Sequence, residues 1–296
     1  MQYSRETSKL LFVINPVSGG KKKTDWEKEI VEYFRGTTHH VEMLVLSGDN
    51  DALRIYEKIK SWQPHRVVAV GGDGTIKSVA EQVFTTGIPL GIIPAGSANG
   101  LAAELNLPST LRDALSIIVN GRVVATDLIK INDKEICIHL SDMGLNAKVV
   151  KYFSMGEVRG KWGYFKAIMR VLWQRQLIKT EILINGQRLP REAFMVVIAN
   201  ARTYGTGVMI NPTGDISDGH FEVVIMKELS VWQLLRAMIT HKPFDPRKIE
   251  VIRTKEVAIA IRRRAYFQVD GEYRGKLTAV HARILPAALN LVLPHN

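Results

Sequence analysis

The glycine-rich run Gly71-Gly72-Asp73-Gly74-Thr75 is the segment whose residue types most suggest chemistry, and it lies between a short apolar stretch and a helical pattern. Glycine permits a positive φ and lets the backbone approach a ligand closely. The N–H groups that begin a helix attract anions, so this position suits a phosphate. Asp73 would repel a phosphate, which indicates that it orients a hydroxyl or a cation that bridges phosphates. The alternative is a tight turn with an Asx-type contact.

Two further loops of this kind follow apolar strands. Residues 15–20 read Asn-Pro-Val-Ser-Gly-Gly and precede three lysines, and residues 96–100 read Gly-Ser-Ala-Asn-Gly. Each loop alone has an ordinary interpretation, because surface lysines are usually solvated and Ser97 or Asn99 could simply cap a helix. Ligands of open α/β sheets bind at the carboxyl ends of the strands. Three such loops at one edge therefore favour a nucleotide site.

The elements that must position these loops alternate between short apolar strands and amphipathic helices over the first ~125 residues, a pattern typical of a parallel α/β layer. Capping boxes formed by Thr24 with Glu27 and by Thr110 with Asp113 mark two helix starts. The predicted strands are 10–14, 41–46, 66–70 and 89–93, and the predicted helices are 24–34, 52–59, 76–84 and 110–120.

The pattern changes after about residue 123, where short strands dominate and predict an all-β second domain. The dipeptide Asn185-Gly186 between two strand-like runs is a strong hairpin signal. Strands are predicted at 180–184 and 187–189 and near 193–200, 220–226, 256–261, 265–269, 277–285 and 289–293, with helical insertions at 164–175 and 231–240.

The composition narrows the class of protein. The chain has 296 residues, enough for two domains, and a formal net charge of +11, which favours partners that carry phosphate or an anionic surface. The single cysteine, Cys137, is interpreted as a core hydrophobe, and with no signal peptide apparent this favours the cytoplasm. No apolar run approaches the ~18 residues of a membrane span. Since no aromatic and basic recognition motif is present, we expect a soluble or peripheral protein that does not bind nucleic acid.

An ordered set of motifs carries a family resemblance. The segments are Asn15-Pro-x-Ser-Gly19, Gly71–Thr75, Ile93-Pro-Ala-Gly-Ser-Ala-Asn99, Asp218-Gly219 and Val269-Asp-Gly-Glu272. Together they resemble the diacylglycerol kinase catalytic-domain family, which includes bacterial lipid kinases and sphingosine kinases. The resemblance covers nearly the whole chain. NAD kinases share the Gly71–Thr75 motif, so the ordered set is more specific than this loop alone.

The resemblance implies a fold of two domains. The N-terminal domain would be α/β, doubly wound around a mostly parallel sheet, and the C-terminal domain would be a β-sandwich, with the nucleotide cleft between them. We expect the first domain at residues 1–125 and the lipid-binding β-sandwich at 126–285. The tail, about residues 286–296, could return to the first domain.

The resemblance also implies roles for individual residues. Asp73 would activate the acceptor hydroxyl or organise magnesium, and Glu272 falls at the family's general acid/base. From the residues alone, Asp270-Gly271 would be a hairpin turn. The positions that fall where the family contacts ATP are Asn15, Ser18, Gly19, Ser47, Gly71, Gly72, Gly74, Thr75, Ser97 and Asn99.

A magnesium site is implied in the second domain by the segment Asp215-Ile-Ser-Asp218-Gly-His220. There the two carboxylates and the main-chain carbonyl of His220 would bind the ion, since hard cations prefer oxygen ligands. The His220 imidazole would not take part. The alternative is a polar turn before the strand that follows.

The expected function is an ATP- and Mg²⁺-dependent lipid kinase. Gly100 stands where many bacterial diacylglycerol kinases have Asp, which shifts the expected acceptor toward a sphingoid-like or other long-chain lipid. An NAD kinase and a non-catalytic lipid- or membrane-binding module are the alternatives. The basic helix predicted at 164–175 could touch an anionic membrane, although packing over the second domain is favoured. Arg159 and Lys161, just before this helix, could reach phosphates. The run Arg262–Arg264 is interpreted as a solvated hairpin or a lipid headgroup contact, and a homo-oligomer is left open.

Overall fold

A computed structural model describes residues 7–18, 23–154, 177–204, 208–228, 236, 244–245 and 247–295. The chain divides into two compact units, Met1–Thr126 with Ala287–Asn296, and Asp127–Pro286. The helix predicted at 164–175, with Arg159 and Lys161, and all but one residue of the helix predicted at 231–240 lie outside the described residues. Within the described part of the chain, no helix is long and apolar enough to cross a membrane.

The sheet of the first unit contains the parallel strands β1 (Lys9–Ile14), β2 (His40–Val45), β3 (Arg66–Gly71) and β4 (Leu90–Pro94). Their order is β2-β1-β3-β4, and the end of the last strand, β14 (Glu272–Leu293), pairs in parallel with β4. The inner strands are buried on both faces, which explains why their sequences are continuous apolar runs without alternation.

Helices cover both faces of this sheet. The helices are α1 (Lys23–Phe34), α2 (Asp51–Trp62), α3 (Asp73–Val83), α4 (Gly100–Glu104) and α5 (Leu111–Asn120). One core cluster joins Phe12 of β1 with Ile30 of α1 and Leu115 of α5. Because successive strand side chains point to opposite faces, the buried Leu11 and Val13 face the other side. The predicted doubly wound α/β fold is therefore confirmed.

Two helix starts differ from the sequence-based expectation. Helix α3 begins at Asp73 rather than at residue 76, with Gly72 as its N-cap. The motif predicted as a loop is thus the end of β3 and the first turn of α3, because glycine and aspartate are both tolerated where a helix begins. Helix α1 begins at Lys23, one residue before Thr24, where the sequence predicted its start. The cap predicted at Thr110 is confirmed, since its side chain accepts a bond from the N–H of Asp113.

The second unit is a β-sandwich. Its strands are β5 (Arg122–Ile131), β6 (Glu135–Cys137), β7 (Leu140–Gly144), β8 (Ile178–Ile184), β9 (Gln187–Ala193), β10 (Met195–Ala199), β11 (Phe221–Met226), β12 (Ile249–Thr254) and β13 (Glu256–Val269), together with β14. They pair antiparallel in the order β12-β11-β10-β7-β13-β14. The first half of β13 pairs with β8 and its second half with β7, so this strand belongs to two layers.

Apolar clusters lie on both faces of β10 and β11. One cluster fills the sandwich with residues such as Val196, Phe221 and Phe267. The other packs Val197 and Val224 beneath α6 (Leu145–Ser154). Residues buried on two faces read as a mainly apolar run, interrupted in β11 by the buried Glu222, which is why the sequence revealed both strands.

The hairpin predicted at Asn185-Gly186 is confirmed, with φ of 49° and 76° at the two turn residues. The interpretation of Arg262–Arg264 as a hairpin is wrong, because these exposed residues lie inside β13. The pairing of β13 with β14 shifts register between Ala260 and Ala265, where the three arginines lie, and the strand continues beyond this irregularity. No range was predicted for strands β5, β6, β7 and β12 or for helix α6.

Candidate active site

The Asp73 carboxylate joins two of the predicted loops. Its Oδ2 accepts the backbone N–H of Gly100 at 3.0 Å, and its Oδ1 accepts that of Leu101 at 3.1 Å. These N–H groups begin α4, whose N-cap residue, Asn99, makes no side-chain cap bond. Asp73 therefore caps α4 from the first turn of α3, where its negative charge also meets the positive end of the helix dipole.

Gly72 and Gly96 bring the same two loops into direct contact. A Cβ added to Gly96 would lie 2.5 Å from the Cα of Gly72, and one added to Gly72 would lie 3.2 Å from the Cα of Gly96. Real Cβ atoms essentially never lie 2.5 Å from a backbone carbon, so this approach requires glycine at position 96, whereas a Cβ at position 72 would be tight and would need its neighbour to shift slightly. The two glycine loops form one continuous surface.

The first loop reaches the same place. The Asn15 side-chain amide donates to Thr75 Oγ1 at 3.0 Å, and the backbone N–H of Asn15 donates to the carbonyl of Val70 at 3.0 Å. Asn15 Oδ1 accepts the N–H of Val17 at 3.1 Å, which shapes the loop after β1. The structure thus brings the loops after β1, β3 and β4 together at one edge of the sheet.

The remaining residues predicted to contact the nucleotide lie in different loops, and some of them hold the loops in shape. Asn99 locks its own loop, accepting from the N–H of Gly96 at 2.7 Å and donating to its carbonyl at 3.0 Å. Ser97 is exposed at the tip of that loop. Ser47 lies after β2, where its hydroxyl accepts from Arg54 at 2.9 Å. The other predicted residues are Ser18, whose N–H donates to the carbonyl of Asn15 at 3.3 Å, Gly71 at the end of β3, Gly74 in the first turn of α3, and Gly19, which lies outside the described residues.

The N-termini of α3 and α4 lie at this edge, and they differ in whether they can bind an anion. The N-terminus of α4 already holds the Asp73 carboxylate. The N–H groups in the first turn of α3 have no intrahelical partner, as in any helix. A phosphate at this edge would therefore be attracted to the start of α3 rather than to α4.

Glu272 begins β14 in the second unit, directly after the turn Asp270-Gly271. The turn interpretation of this dipeptide is correct, with φ of 49° and 83°. The Glu272 carboxylate forms an ion pair with Arg274 at 2.5 Å, and Arg274 also contacts Glu135 at 2.9 Å. Glu272 is partly exposed, so a ligand could reach it.

Asp270 anchors this turn. Its Oδ1 accepts the N–H of His139 at 2.9 Å and its Oδ2 accepts that of Ile138 at 3.1 Å. Cys137, predicted as a core residue, is buried beside it, with Sγ 3.3 Å from Oδ1. Asp270 is therefore a structural support for the segment that carries Glu272.

A buried polar network behind the turn was not anticipated. Asp142 is fully buried and accepts from Tyr204 at 3.0 Å, from Asn146 at 2.6 Å and from Gln268. Gln268 Oε1 in turn accepts the N–H of Gly271 at 2.7 Å. Burial raises the pKa of Asp142, although these hydrogen bonds oppose the shift. Nothing local in the sequence indicates that Asp142 and Gln268 are partners.

The segment predicted to bind magnesium forms a polar turn. Asp218 Oδ2 lies 2.8 Å from Arg253, and Asp218 Oδ1 accepts the N–H of His220 at 2.9 Å. Asp215 Oδ1 accepts from the N–H of Ser217 at 2.9 Å. Asp127, buried and not predicted as a site residue, accepts the N–H of Gly219 at 2.6 Å.

The side chains at this turn supply oxygen donors, but the described residues are not arranged as a metal site. Three carboxylates, those of Asp127, Asp215 and Asp218, belong to or contact one short turn, and oxygen is the ligand that Mg²⁺ prefers. The described residues contain no group of three His, Cys, Asp or Glu side chains already arranged around a metal position. An ion would therefore be completed by main-chain carbonyls and water, and it would compete with Arg253 for Asp218.

Comparison with known proteins identifies the family of this chain. Residues 9–131 match the family model of the diacylglycerol kinase catalytic domain, and residues 141–293 match that of the YegS C-terminal NAD kinase beta sandwich-like domain. A protein of Yersinia enterocolitica named "Probable lipid kinase YegS-like" is 30% identical over 275 residues, covering 88% of this chain and 89% of that protein. A protein of the same name from Enterobacter sp. is 26% identical, covering 96% and 95%.

Solved structures show the same fold. A diacylglycerol kinase from Bacillus anthracis superposes with a TM-score of 0.73 at 19% identity and covers 97% of both chains. The chain belongs to the diacylglycerol kinase catalytic-domain family of lipid kinases, whose members transfer a phosphoryl group to an alcohol.

Proposed function

We propose that this protein is an ATP- and Mg²⁺-dependent lipid kinase that transfers the γ-phosphoryl group to a hydroxyl of a long-chain lipid. The observation that carries the proposal is the position of Asp73, whose carboxylate lies where the two glycine loops touch and beside the free start of α3. Membership of a lipid kinase family supports the choice of acceptor.

The phosphates would lie at the first turn of α3, where Gly72 and Gly74 allow the backbone to approach them closely. The amide of Asn15 holds the Thr75 hydroxyl, so this donor is already oriented before the nucleotide binds. The loop that Asn99 locks would contribute backbone groups on the other side of Asp73.

The chemistry needs an oriented hydroxyl and a proton acceptor. The lipid hydroxyl oxygen would attack the γ-phosphorus, the bond from that phosphorus to the β–γ bridging oxygen would break, and ADP would leave. The hydroxyl proton would pass to a carboxylate, for which Glu272 is the proposed base, while Asp73 orients the reacting groups. When bound, Mg²⁺ would offset negative charge, with Asp127, Asp215, Asp218 and the His220 carbonyl as proposed protein ligands in the second unit.

A radiolabelled ATP assay against a total lipid extract, with the product identified by mass, tests the function directly. We expect one labelled lipid, and its mass separates diacylglycerol from sphingoid and other acceptors. Asp73→Ala and Glu272→Ala should each abolish labelling while the circular dichroism spectrum stays native. Folded, Mg²⁺-loaded protein that labels no lipid would overturn the proposal.

NAD phosphorylation is the second candidate function, because the second unit matches a domain described as NAD kinase beta sandwich-like. The same assay with NAD in place of lipid decides between them. Labelled NADP without labelled lipid would replace the lipid kinase assignment.

We also propose that the protein meets its lipid by peripheral contact with an anionic membrane, consistent with its net charge of +11.

A further inference from the structure

A chain of hydrogen bonds links a buried carboxylate to the turn that precedes Glu272 in the second unit. Gln268 lies at the centre of this chain, because it is the register partner of Asp142 across β7 and β13. Its Nε2 donates to Asp142 Oδ2, and its Oε1 accepts the backbone N–H of Gly271 at 2.7 Å. The side chains of Asp142 and Gln268 are buried, so water does not compete for these bonds.

The Asp142 carboxylate fixes the direction of these bonds. It also accepts the backbone N–H of Ala147 at 2.9 Å and side-chain hydrogen bonds from Asn146 and Tyr204 at 2.6 and 3.0 Å. An ionised carboxylate can only accept hydrogen bonds, so the part of the Gln268 amide that faces it must be the NH₂ group. The amide oxygen then faces the turn, where a backbone N–H donates to it.

Side chains support this turn from two directions. Asp270 and Gly271 have φ of 49° and 83°, in the left-handed region that residues other than glycine seldom adopt. The Asp270 carboxylate accepts backbone N–H groups of residues 138–140, and Gln268 accepts that of Gly271. Glu272 is the next residue along the chain, so a displacement of Gly271 also displaces the start of β14 that carries Glu272.

We propose that Gln268 is a positioning residue for proton transfer: Asp142 orients its amide, and the amide holds the turn from which Glu272 meets the acceptor hydroxyl. The inference rests on the proposed function, in which Glu272 takes the hydroxyl proton. Because Gln268 is buried, it acts through Gly271 and not by touching the substrate. A reacting group that is misplaced by about 1 Å can lose about a hundredfold in rate, so a single bond behind the turn can matter.

The first test compares two buried changes at the same place. Gln268→Met removes both amide groups and keeps the length of the side chain. Ser141→Ala is the control, because the Ser141 hydroxyl is buried and donates to the backbone carbonyl of Gln268 at 2.7 Å, away from the amide. If Gln268→Met does not fold, Gln268→Asn replaces it, because an amide that is one methylene shorter does not span both partners.

Steady-state lipid phosphorylation is measured well below the thermal unfolding midpoint of each variant. We expect kcat of Gln268→Met to fall by about tenfold to a hundredfold, with KM for ATP within about twofold of the wild type. Ser141→Ala should keep kcat within about threefold of the wild type, since the amide is intact. Hydrogen exchange of residues 269–273 should be faster in Gln268→Met than in Ser141→Ala, because the Gly271 N–H loses its acceptor.

The second test exchanges the two functional groups. Gln268→Glu places a second carboxylate against Asp142, and Asp142→Asn places an NH₂ group among donors, so each change alone should lower kcat by about tenfold or more. Together they restore a donor facing an acceptor, and the new carboxylate at position 268 still accepts the Gly271 N–H. The combined variant should therefore be more active than either single variant, a non-additive effect expected of groups in contact.

The outcomes separate this inference from the proposed function. Wild-type kcat in Gln268→Met, or a combined variant that is no more active than its parents, overturns the positioning role and leaves the lipid kinase assignment intact. Equal losses of kcat in Gln268→Met and Ser141→Ala also overturn it, because any disturbance of the strand would then suffice. A wild type that labels no lipid overturns the proposed function and this inference with it.

Discussion

The Asp73 carboxylate accepts the backbone N–H of Gly100 at 3.0 Å, so the residue proposed to orient the reacting groups is also the cap of a neighbouring helix. The two roles need not conflict, because each carboxylate oxygen can accept more than one hydrogen bond. They do mean that replacing Asp73 changes both stability and chemistry, and the two effects must be measured separately.

Replacing Asp73 by Ala should lower the free energy of unfolding by about 1 kcal/mol, the usual cost of losing a helix cap, and should abolish phosphoryl transfer. Thr110→Ala is the matched control, since it removes the cap of α5 in the same unit at a similar cost of about 1 kcal/mol. Denaturant unfolding and ATP turnover of both variants give the comparison. If Asp73→Ala retains turnover as well as Thr110→Ala does, Asp73 is only a cap.

The contact between Gly72 and Gly96 predicts a steric effect on nucleotide binding. Gly96→Ala would place a Cβ 2.5 Å from the Cα of Gly72, so the loops must separate. We expect a loss of about 1–3 kcal/mol of stability, as for other overpacked sites, and at least tenfold weaker ATP binding by calorimetry.

Gly87→Ala is the control, because it should lower stability through backbone strain without any steric clash. Gly87 has φ of 73° and open space around its added Cβ, so this change should cost about 1–2 kcal/mol through strain alone. ATP affinity in Gly87→Ala should match the wild type. Unchanged affinity in Gly96→Ala would show that the two loops need not touch around the nucleotide.

The ion pair between Asp218 and Arg253 predicts competition between a metal and a guanidinium. If Mg²⁺ binds the turn, millimolar Mg²⁺ should raise the thermal unfolding midpoint of the wild type, because a ligand that binds the folded state stabilises it. Arg253→Gln should strengthen that effect by freeing the Asp218 carboxylate. Asp218→Asn should remove it, and a Mg²⁺ response that survives Asp218→Asn would place the ion elsewhere.

The ion pairs of the Glu250 carboxylate predict that the protein loses stability in acid. Its carboxylate receives two hydrogen bonds from Arg191, at 2.8 and 2.9 Å, and lies 2.6 Å from Lys227. The bonds from Arg191, together with Lys227, lower the pKa of Glu250 from 4.5 to about 2. A lowered pKa means that the contribution is complete above pH 4.5 and is lost as the pH falls toward 2.

The variant Glu250→Gln should therefore be less stable than the wild type by about 1–2 kcal/mol at neutral pH, a value reduced by solvent screening of the partly exposed pair. The difference should shrink steadily between pH 4.5 and 2. Glu192→Gln, which breaks the exposed pair between Glu192 of β9 and Lys179 of β8, should cost less than about 0.5 kcal/mol at any pH. A Glu250 effect that does not change with pH would show that packing, not charge, is responsible.

Much of this molecule could be predicted because the relevant signals are local. Alternating apolar strands and amphipathic helices identified the parallel sheet, and Asn185-Gly186 identified a two-residue turn, since both patterns depend on neighbours in the sequence. The loops after β1, β3 and β4 had to meet, because parallel strands place their carboxyl ends at one edge. The sequence alone therefore determined where the candidate nucleotide site lies.

Only the tertiary structure decided what the site residues touch. Asp73 bonds to Gly100, which lies 27 residues further along the chain, and Gln268 bonds to Asp142 across 126 residues. No local sequence pattern could therefore predict either hydrogen bond. Lys148 of α6 likewise lies over the ring of Tyr266, which is more than a hundred residues further along the chain. Hydrogen bonds and charges act over a few ångströms in space, whatever their distance in sequence, and the fold alone sets those distances.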